Sequence, residues 1–216
     1  MTTHPMSQPL TPEEARVLGV LIEKSKTTPD AYPLTVNSLT AGCNQKTSRE
    51  PVMSLAESEV QATLEALRGR TLIMESYGAS GRVLRYAHNF AKVYDVPAAS
   101  VNLLAILMLR GPQTASELRA NCERLHRFAD VSSVEAYLEE LAERPTGAMT
   151  MKLPKQPGMR EQRWIHLLCG QPAPETLNPG VTRAAPASHA DLEARVEQLE
   201  QAVAELSAKL ALLAGD

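Results

Sequence analysis

The apolar positions of this chain follow a helical period in several short blocks. Residues 60–67 place one Val and two Leu side chains on a single face, and residues 134–141 repeat that face, as expected for amphipathic helices packed on a core. Residues 71–76 and 82–88 follow the two-residue period of strands and flank a glycine-bearing turn, which predicts a β-hairpin. The pattern therefore predicts a mainly α fold with small β hairpins (α+β).

Capping signals predict where these helices begin. A Ser or Thr followed three residues later by Glu or Gln satisfies two free amides at a helix start. Four pairs in the chain have this spacing: Thr11 with Glu14, Ser58 with Gln61, Thr114 with Glu117, and Ser132 with Glu135. They predict a first helix over residues 12–25 and the starts of three later helices.

The chain also repeats itself. Residues 39–45 (LTAGCNQ) return as residues 118–124 (LRANCER), and residues 85–90 (RYAHNF) return as residues 163–168 (RWIHLL). Each copy has three predicted helices followed by a hairpin, the order of a winged-helix domain. Duplication of one small domain explains this pattern, so the sequence predicts one winged-helix domain over 1–92 and a second over 93–170.

The end of the chain has a different character. Residues 171–187 contain four prolines, which predicts a semi-rigid linker, and residues 188–214 carry a heptad pattern typical of a coiled-coil helix. Valine at a and leucine at d favour a parallel two-stranded coil, hence a homodimer. The alternative is an amphipathic helix that folds back on its own chain. The seam residues are Leu192, Val196, Leu199, Val203, Leu206, Leu210 and Leu213.

Two segments resemble a known family. Residues 14–53 (EARVLGVLIEKSKTTPDAYPLTVNSLTAGCNQKTSREPVM) and residues 110–131 (RGPQTASELRANCERLHRFADV) closely resemble the YceH-like family of bacterial proteins. The resemblance covers about residues 10–168 and implies tandem winged-helix domains. It implies no activity and no functional residues.

Charge is unevenly distributed along the chain. Residues 1–90 sum to 0, residues 91–170 to +1 and residues 171–216 to −4, so the body lacks the broad cationic field of a strong nucleic-acid binder. Outward positions of the third helices carry glutamates, which phosphates repel, whereas the hairpins are basic. Six hairpin residues are candidate DNA contacts: Arg82, Arg85, Lys152, Lys155, Arg160 and Arg163. They predict weak, salt-sensitive DNA binding, and the alternative is ordinary solvated hairpin charges.

The first copy has five extra residues within a polar loop over 44–53. This loop is a candidate partner-binding element, and the alternative is a purely structural role in capping helix ends. Its candidate residues are Asn44, Gln45, Lys46, Arg49 and Glu50. Two functions therefore remain open: DNA-associated regulation through the basic wings, or a protein-interaction scaffold using the acidic third helices, this loop and the coil.

Catalytic chemistry is not indicated. The recurring His88 and His166 fall on the apolar faces of strands and are predicted to be structural, and Cys43 and Cys122 are predicted to be buried free thiols. No catalytic, phosphate-binding or metal motif is present, so we expect a protein without enzymatic activity, metal or cofactor. The N-terminus lacks the apolar core of a signal peptide and residues 103–109 are too short to span a bilayer, so we expect a cytoplasmic location and no membrane contact.

Overall fold

The computed structural model describes residues 8–77, 81, 83–156 and 158–172. Within these ranges the chain forms seven α-helices, one short 3-10 helix over Pro29–Ala31, and two antiparallel two-stranded sheets. In chain order the α and β elements are α1 (Pro12–Thr27), α2 (Val36–Cys43), α3 (Glu57–Gly69), β1 (Ile73–Tyr77), β2 (Leu84–His88), α4 (Phe90–Tyr94), α5 (Ala98–Arg110), α6 (Ala115–Cys122), α7 (Val131–Ala142), β3 (Thr150–Lys152) and β4 (Trp164–His166). The prediction of a mainly helical fold with small hairpins is confirmed.

Two of the four predicted capping boxes are present. Thr11 Oγ1 accepts a hydrogen bond from the Glu14 amide at 3.2 Å, and the Thr11 amide donates to Glu14 Oε2 at 3.0 Å. Thr114 and Glu117 form the equivalent pair at 3.1 and 3.0 Å. These boxes fix the starts of α1 and α6.

The other two predicted caps are wrong. The helix α3 follows Ala56, whose amide donates to the Glu59 carboxylate at 2.7 Å, so Ser58 lies inside the first turn. The helix α7 is capped by Asp130, whose carboxylate accepts from the Ser133 amide at 2.7 Å, so Ser132 is also internal. An acidic residue is thus the partner of the cap at α3 and the cap itself at α7.

Each hairpin is joined by a third short segment. Leu34 exchanges two backbone hydrogen bonds with Tyr86 in β2, at 3.1 and 2.8 Å, and Gln113 does the same with Trp164 in β4, at 3.0 and 2.7 Å. Each of these segments directly precedes the second helix of its repeat. The two repeats therefore share both their order of elements and this added bridge.

The larger hydrophobic core is shared between the repeats. It includes buried residues of α1 and α3 together with residues of α5, and α1 and α5 form the most extensive helix–helix contact of the described elements. The two helices approach closely at Gly19, where a Cβ atom would lie 2.9 Å from Leu109 Cγ. The Leu10 amide also donates to the Leu168 carbonyl at 2.7 Å. This core crosses the predicted division between residues 92 and 93, and that division itself stays a prediction.

The short helix α4, which the hydrophobic pattern did not predict, connects the two repeats. Its Phe90 and Tyr94 side chains are buried, with ring centroids 4.5 Å apart. Aromatic pairs at this separation add packing energy beyond their buried area. Five residues are too few to show a helical period, so only the tertiary contacts reveal this element.

No helix in the described ranges is both long and apolar enough to cross a membrane. Several sequence predictions fall outside the described residues: Arg82, the linker from residue 173 onwards, and the seven seam positions Leu192, Val196, Leu199, Val203, Leu206, Leu210 and Leu213.

Candidate functional site

Two of the arginines that were predicted to contact DNA form hydrogen bonds within the chain. Arg85 Nη1 donates to the Pro33 carbonyl at 2.8 Å, and Arg163 Nη1 donates to the Pro112 carbonyl at 2.7 Å. Arg163 also forms an ion pair with Glu117 at 3.0 Å. Each arginine thus ties its hairpin to the segment that leads into the second helix. The sequence held this signal, since the arginines and the prolines recur together in the two copies.

A third predicted contact, Lys152, also has intramolecular partners. Its Nζ lies 3.6 Å from Glu139 Oε1 and 4.8 Å from the centroid of the Trp164 ring. At the matching strand position of the first repeat, Glu75 of β1 pairs with Arg68 of α3 at 3.4 Å, one turn along the helix from Glu65, which is the residue that matches Glu139. Both repeats therefore pair their third helix with their first strand, and the signs of the two charges are exchanged.

Lys155 and Arg160 differ from the other hairpin cations. Both are exposed, and neither has an ion pair or hydrogen bond to any residue that the structure describes. The nearby Glu161 accepts a hydrogen bond from Ser116 Oγ at 3.2 Å. Among the described cations of the second hairpin, these two are the ones without an ion pair or hydrogen bond.

The third helices present acidic surfaces. Their exposed carboxylates belong to Glu57, Glu59 and Glu65 in α3 and to Glu139 and Glu140 in α7, followed by Glu143 just after α7. The helix α7 contains no Lys or Arg, and α3 contains only Arg68. Carboxylates on this face repel phosphates and gain at most an occasional contact with cytosine.

The loop over residues 44–53 is held in place by two of its own predicted partner-binding residues. Asn44 exchanges two hydrogen bonds with the Leu55 backbone, both at 2.8 Å. The Arg49 side chain is 0% exposed and binds both carboxylate oxygens of Glu23, at 2.7 and 3.2 Å, as well as the Gly42 carbonyl at 3.1 Å. These two residues have structural contacts, which is the alternative that the sequence left open.

A second buried arginine, which the sequence analysis missed, supports the same loop. Arg16 of α1 is 1% exposed and donates to the carbonyls of Cys43 at 3.0 Å and Pro51 at 2.6 Å. Burial, together with the nearby Arg49 charge, lowers the pKa of Arg16. Burial alone would raise the pKa of Glu23, but the Arg49 guanidinium outweighs it and holds that pKa below its usual value.

The remaining loop candidates are more accessible. Lys46 and Glu50 are exposed and Gln45 is half-buried, although the Glu50 amide donates to the Leu109 carbonyl at 2.8 Å. The loop is therefore fixed to α1 on one side and to the end of α5 on the other. Half of its ten residues are exposed, namely Lys46, Thr47, Glu50, Pro51 and Val52.

An open polar groove of about 300 Å³ lies between this loop and the second repeat. Arg110 lines it and donates to Ser48 Oγ at 2.7 Å and to Asn121 Oδ1 at 2.9 Å, and Asn121 in turn donates to Gln113 Oε1 at 2.6 Å. These side chains therefore donate and accept hydrogen bonds among themselves. The groove is thus a hydrogen-bonded junction between the repeats. The sequence pattern did not predict it, because residues far apart in the sequence meet there only in the folded chain.

Burial shifts the pKa values of the recurring histidines and thiols. Burial lowers the pKa of His88 and His166 to about 4 and raises the pKa of Cys43 and Cys122 to about 12. Neutral imidazoles and protonated thiols result at neutral pH, as the predicted structural roles require. Among the residues with described positions, no group of three or more His, Cys, Asp or Glu side chains is placed to hold a metal ion.

Comparison with known proteins decides the family. The family model described as "Protein of unknown function, DUF480" matches residues 10–159. The chain belongs to this family. A UPF0502 protein of Leptothrix cholodnii is 57% identical over 175 residues, which cover 81% of this chain and 78% of that relative. A UPF0502 protein of an Acidovorax species is 55% identical over 209 residues, which cover 94% of this chain and 91% of that relative.

The DUF480 match agrees with the resemblance to YceH-like bacterial proteins, so the predicted relationship is confirmed. A further UPF0502 protein, from Dechloromonas aromatica, is 53% identical over 201 residues. These descriptions name no ligand, reaction or partner. A function for this DUF480 member has to be argued from its own surfaces.

Proposed function

We propose that this DUF480 protein is a non-enzymatic protein-interaction module whose third helices, α3 and α7, present acidic surfaces to a protein partner. One observation carries the proposal: the hairpin cations Arg85, Lys152 and Arg163 have partners within the chain, while the third helices beside them expose carboxylates. Isolated hairpin charges next to acidic helices favour a protein partner over DNA.

The order of elements supports a tandem winged-helix reading of the fold. A winged helix that binds DNA inserts its third helix into the major groove and places its wing on phosphates. Here Glu59 and Glu65 of α3, and Glu139 and Glu140 of α7, stand exposed on the helices that would enter the groove. Fold analogy alone does not assign DNA binding, and these charges oppose it.

Site-specific photo-crosslinking tests the proposal. A photo-crosslinking amino acid replaces Glu65 in α3 or Glu140 in α7, and the full chain is irradiated in cells of its native host. The matched control places the same amino acid at Glu161, an exposed acidic residue of the second hairpin. We expect the same protein to be crosslinked from both helix positions and not from the control.

Two crosslinking results would contradict the proposal. Crosslinks to DNA from the helix positions, or crosslinks to protein only from Glu161, would show that the acidic helices are not the docking surface and would overturn the proposal.

The two exposed cations of the second hairpin favour a second candidate function, weak association with DNA. Lys155 and Arg160 are able to contact about two phosphates. Replacing both with Glu should abolish retention on duplex DNA at low salt if this function is real, whereas the double variant Lys46→Glu with Lys92→Glu, at two exposed lysines outside the second hairpin, serves as the control for net charge. Retention that is unchanged when Lys155 and Arg160 are both replaced would exclude the candidate.

A further inference from the structure

A groove of about 420 Å³ lies beside the second hairpin, between the end of α7 and the strands β3 and β4. Apolar atoms form much of its surface, from Ala142, Ala148, Met151, Trp164 and Leu167. Charged groups line the groove as well, namely Glu139, Glu143 and Lys152. An apolar surface with a few charged groups is typical of a binding groove.

The sequence difference between the repeats helps to explain this groove. Ala142 in α7 takes the place of Arg68 in α3, as the matched apolar faces of the two helices show. In the first repeat the Arg68 side chain extends to Glu75 at the corresponding strand position. A methyl group at position 142 leaves that volume open in the second repeat.

One cation of the chain, the Lys152 ammonium, already lies in the groove. The Lys152 ammonium lies 4.8 Å from the centroid of the Trp164 ring and 3.6 Å from Glu139 Oε1, so an aromatic face and a carboxylate already hold one cation. Glu143 is exposed, and its carboxylate has no hydrogen bond or ion pair to any residue with a described position. Two carboxylates and one ammonium leave the groove with a net negative charge.

We propose that this groove binds an arginine or lysine side chain of a protein partner, whose charged head pairs with Glu143 while its aliphatic stem packs on Met151 and Ala148. Long basic side chains carry both an apolar stem and a charged head, and the groove offers a complement to each. The inference rests on the proposed function, because it names the chemistry of the partner that the acidic helices recognise. Lys152, which pairs with Glu139 and lies over the Trp164 ring, places a like charge in the groove and opposes the incoming cation.

Trp164 provides the reporter for the test, since it is the only tryptophan in the chain. The full chain is titrated with a short capped peptide that contains one arginine between two leucines, and Trp164 emission is recorded at low salt. The control peptides replace the arginine with glutamate or with glutamine. We expect a saturable change with the arginine peptide, weakened by added salt, and no comparable change with either control.

Two pairs of variants make the test specific. Glu143→Gln should weaken binding of the arginine peptide about threefold, the order of magnitude for one partly exposed ion pair. Its control, Glu161→Gln, removes an exposed carboxylate of the second hairpin that does not line the groove and should leave binding unchanged. Lys152→Ala should tighten binding about threefold because it removes a like charge from the groove and frees the Glu139 carboxylate, whereas Lys155→Ala in the same hairpin should have no effect.

Several outcomes would overturn the inference. These are equal responses to the arginine and glutamate peptides, equal affinities for Glu143→Gln and Glu161→Gln, or weaker binding after Lys152→Ala. Emission that changes on dilution of the protein without peptide would assign the groove to a second copy of the chain.

The failure of this inference is distinguishable from failure of the proposed function. Crosslinks from Glu65 and Glu140 to one protein, together with no peptide response at Trp164, would retain the acidic helices as a docking surface and reject only the groove. Peptide binding without any protein crosslink from either helix would do the reverse.

Discussion

Replacing Arg49 with Met removes the most deeply buried ion pair of the first repeat. The Arg49 side chain is 0% exposed and that of its partner Glu23 is 14% exposed. The substitution leaves the Glu23 carboxylate with only Lys24 nearby, at 3.1 Å, and removes a donor to the Gly42 carbonyl. Breaking a buried pair from one side costs about 3–5 kcal/mol. We expect about 3 kcal/mol here, because Lys24 keeps part of the compensation.

Urea unfolding of the full chain measures this cost. With an m-value of about 2 kcal/mol/M, a loss of about 3 kcal/mol lowers the midpoint by roughly 1.5 M urea. Trp164 fluorescence reports the second repeat, and far-UV circular dichroism reports all helices. Because the larger core includes residues of both repeats, both signals should move together even though Arg49 lies in the first repeat.

The matched control is Arg127→Met. Arg127 pairs with Glu123 at 3.4 Å on the surface, and their side chains are 85% and 52% exposed, so its loss should cost less than about 0.5 kcal/mol. Equal shifts for Arg49→Met and Arg127→Met would refute the role of Arg49 as a buried clamp. A Trp164 transition that stays at the wild-type midpoint while part of the circular dichroism is lost would refute the shared core.

Three further predictions concern packing, acid stability and thiol reactivity. Gly19→Val should destabilise the fold by about 1–3 kcal/mol in urea unfolding, because its side chain would overpack the contact between α1 and α5; a stabilised variant would contradict that close approach. His88 and His166 have pKa values of about 4 in the folded chain against an ordinary value of 6.5, so the unfolded chain binds protons first as the pH falls. Stability should therefore be full above pH 6.5 and decline towards pH 4, by at most about 1.4 kcal/mol per pH unit for each histidine. Substitution of both by Gln should flatten this decline in unfolding measured across that range, and an unchanged slope would exclude the histidines as its source. The thiols of Cys43 and Cys122 should resist labelling by a disulfide reagent until urea unfolds the chain, since burial raises the pKa of each to about 12; rapid labelling of thiols other than the exposed Cys169 without denaturant would contradict their burial.

Much of the fold was predictable because its signals are local. The helical period of residues 60–67 and the strand period of residues 82–88 depend on neighbouring positions, and α3 and β2 lie where these periods indicate. The Thr11 and Thr114 caps were also predictable, since each box is complete within four residues. The shared core was not, because the close packing of α1 on α5 depends on residues far apart in sequence.

The candidate sites were less predictable because a charge alone does not reveal its partner. Arg85 and Arg163 read as wing cations in the sequence, yet each binds a proline carbonyl about 50 residues earlier in the chain. The sequence gives no sign that Arg16 is buried, since a charged residue within an apolar helix is usually exposed. Its burial depends on carbonyl groups that the 44–53 loop brings to it, and only the folded chain places them there.

The salt dependence of duplex DNA binding tests most directly the claim that the hairpin cations are mostly paired within the chain. Each phosphate contact contributes a slope of about 0.9 in log affinity against log salt, so Lys155 and Arg160, even with Arg82 added, predict a loss of at most about fortyfold between about 50 and 200 mM salt. Fluorescence anisotropy of a labelled duplex, titrated with the full chain, measures that loss. A fall above about a thousandfold requires six or more phosphate contacts. It would contradict the account, because Lys155, Arg160 and Arg82 together supply at most three of those contacts.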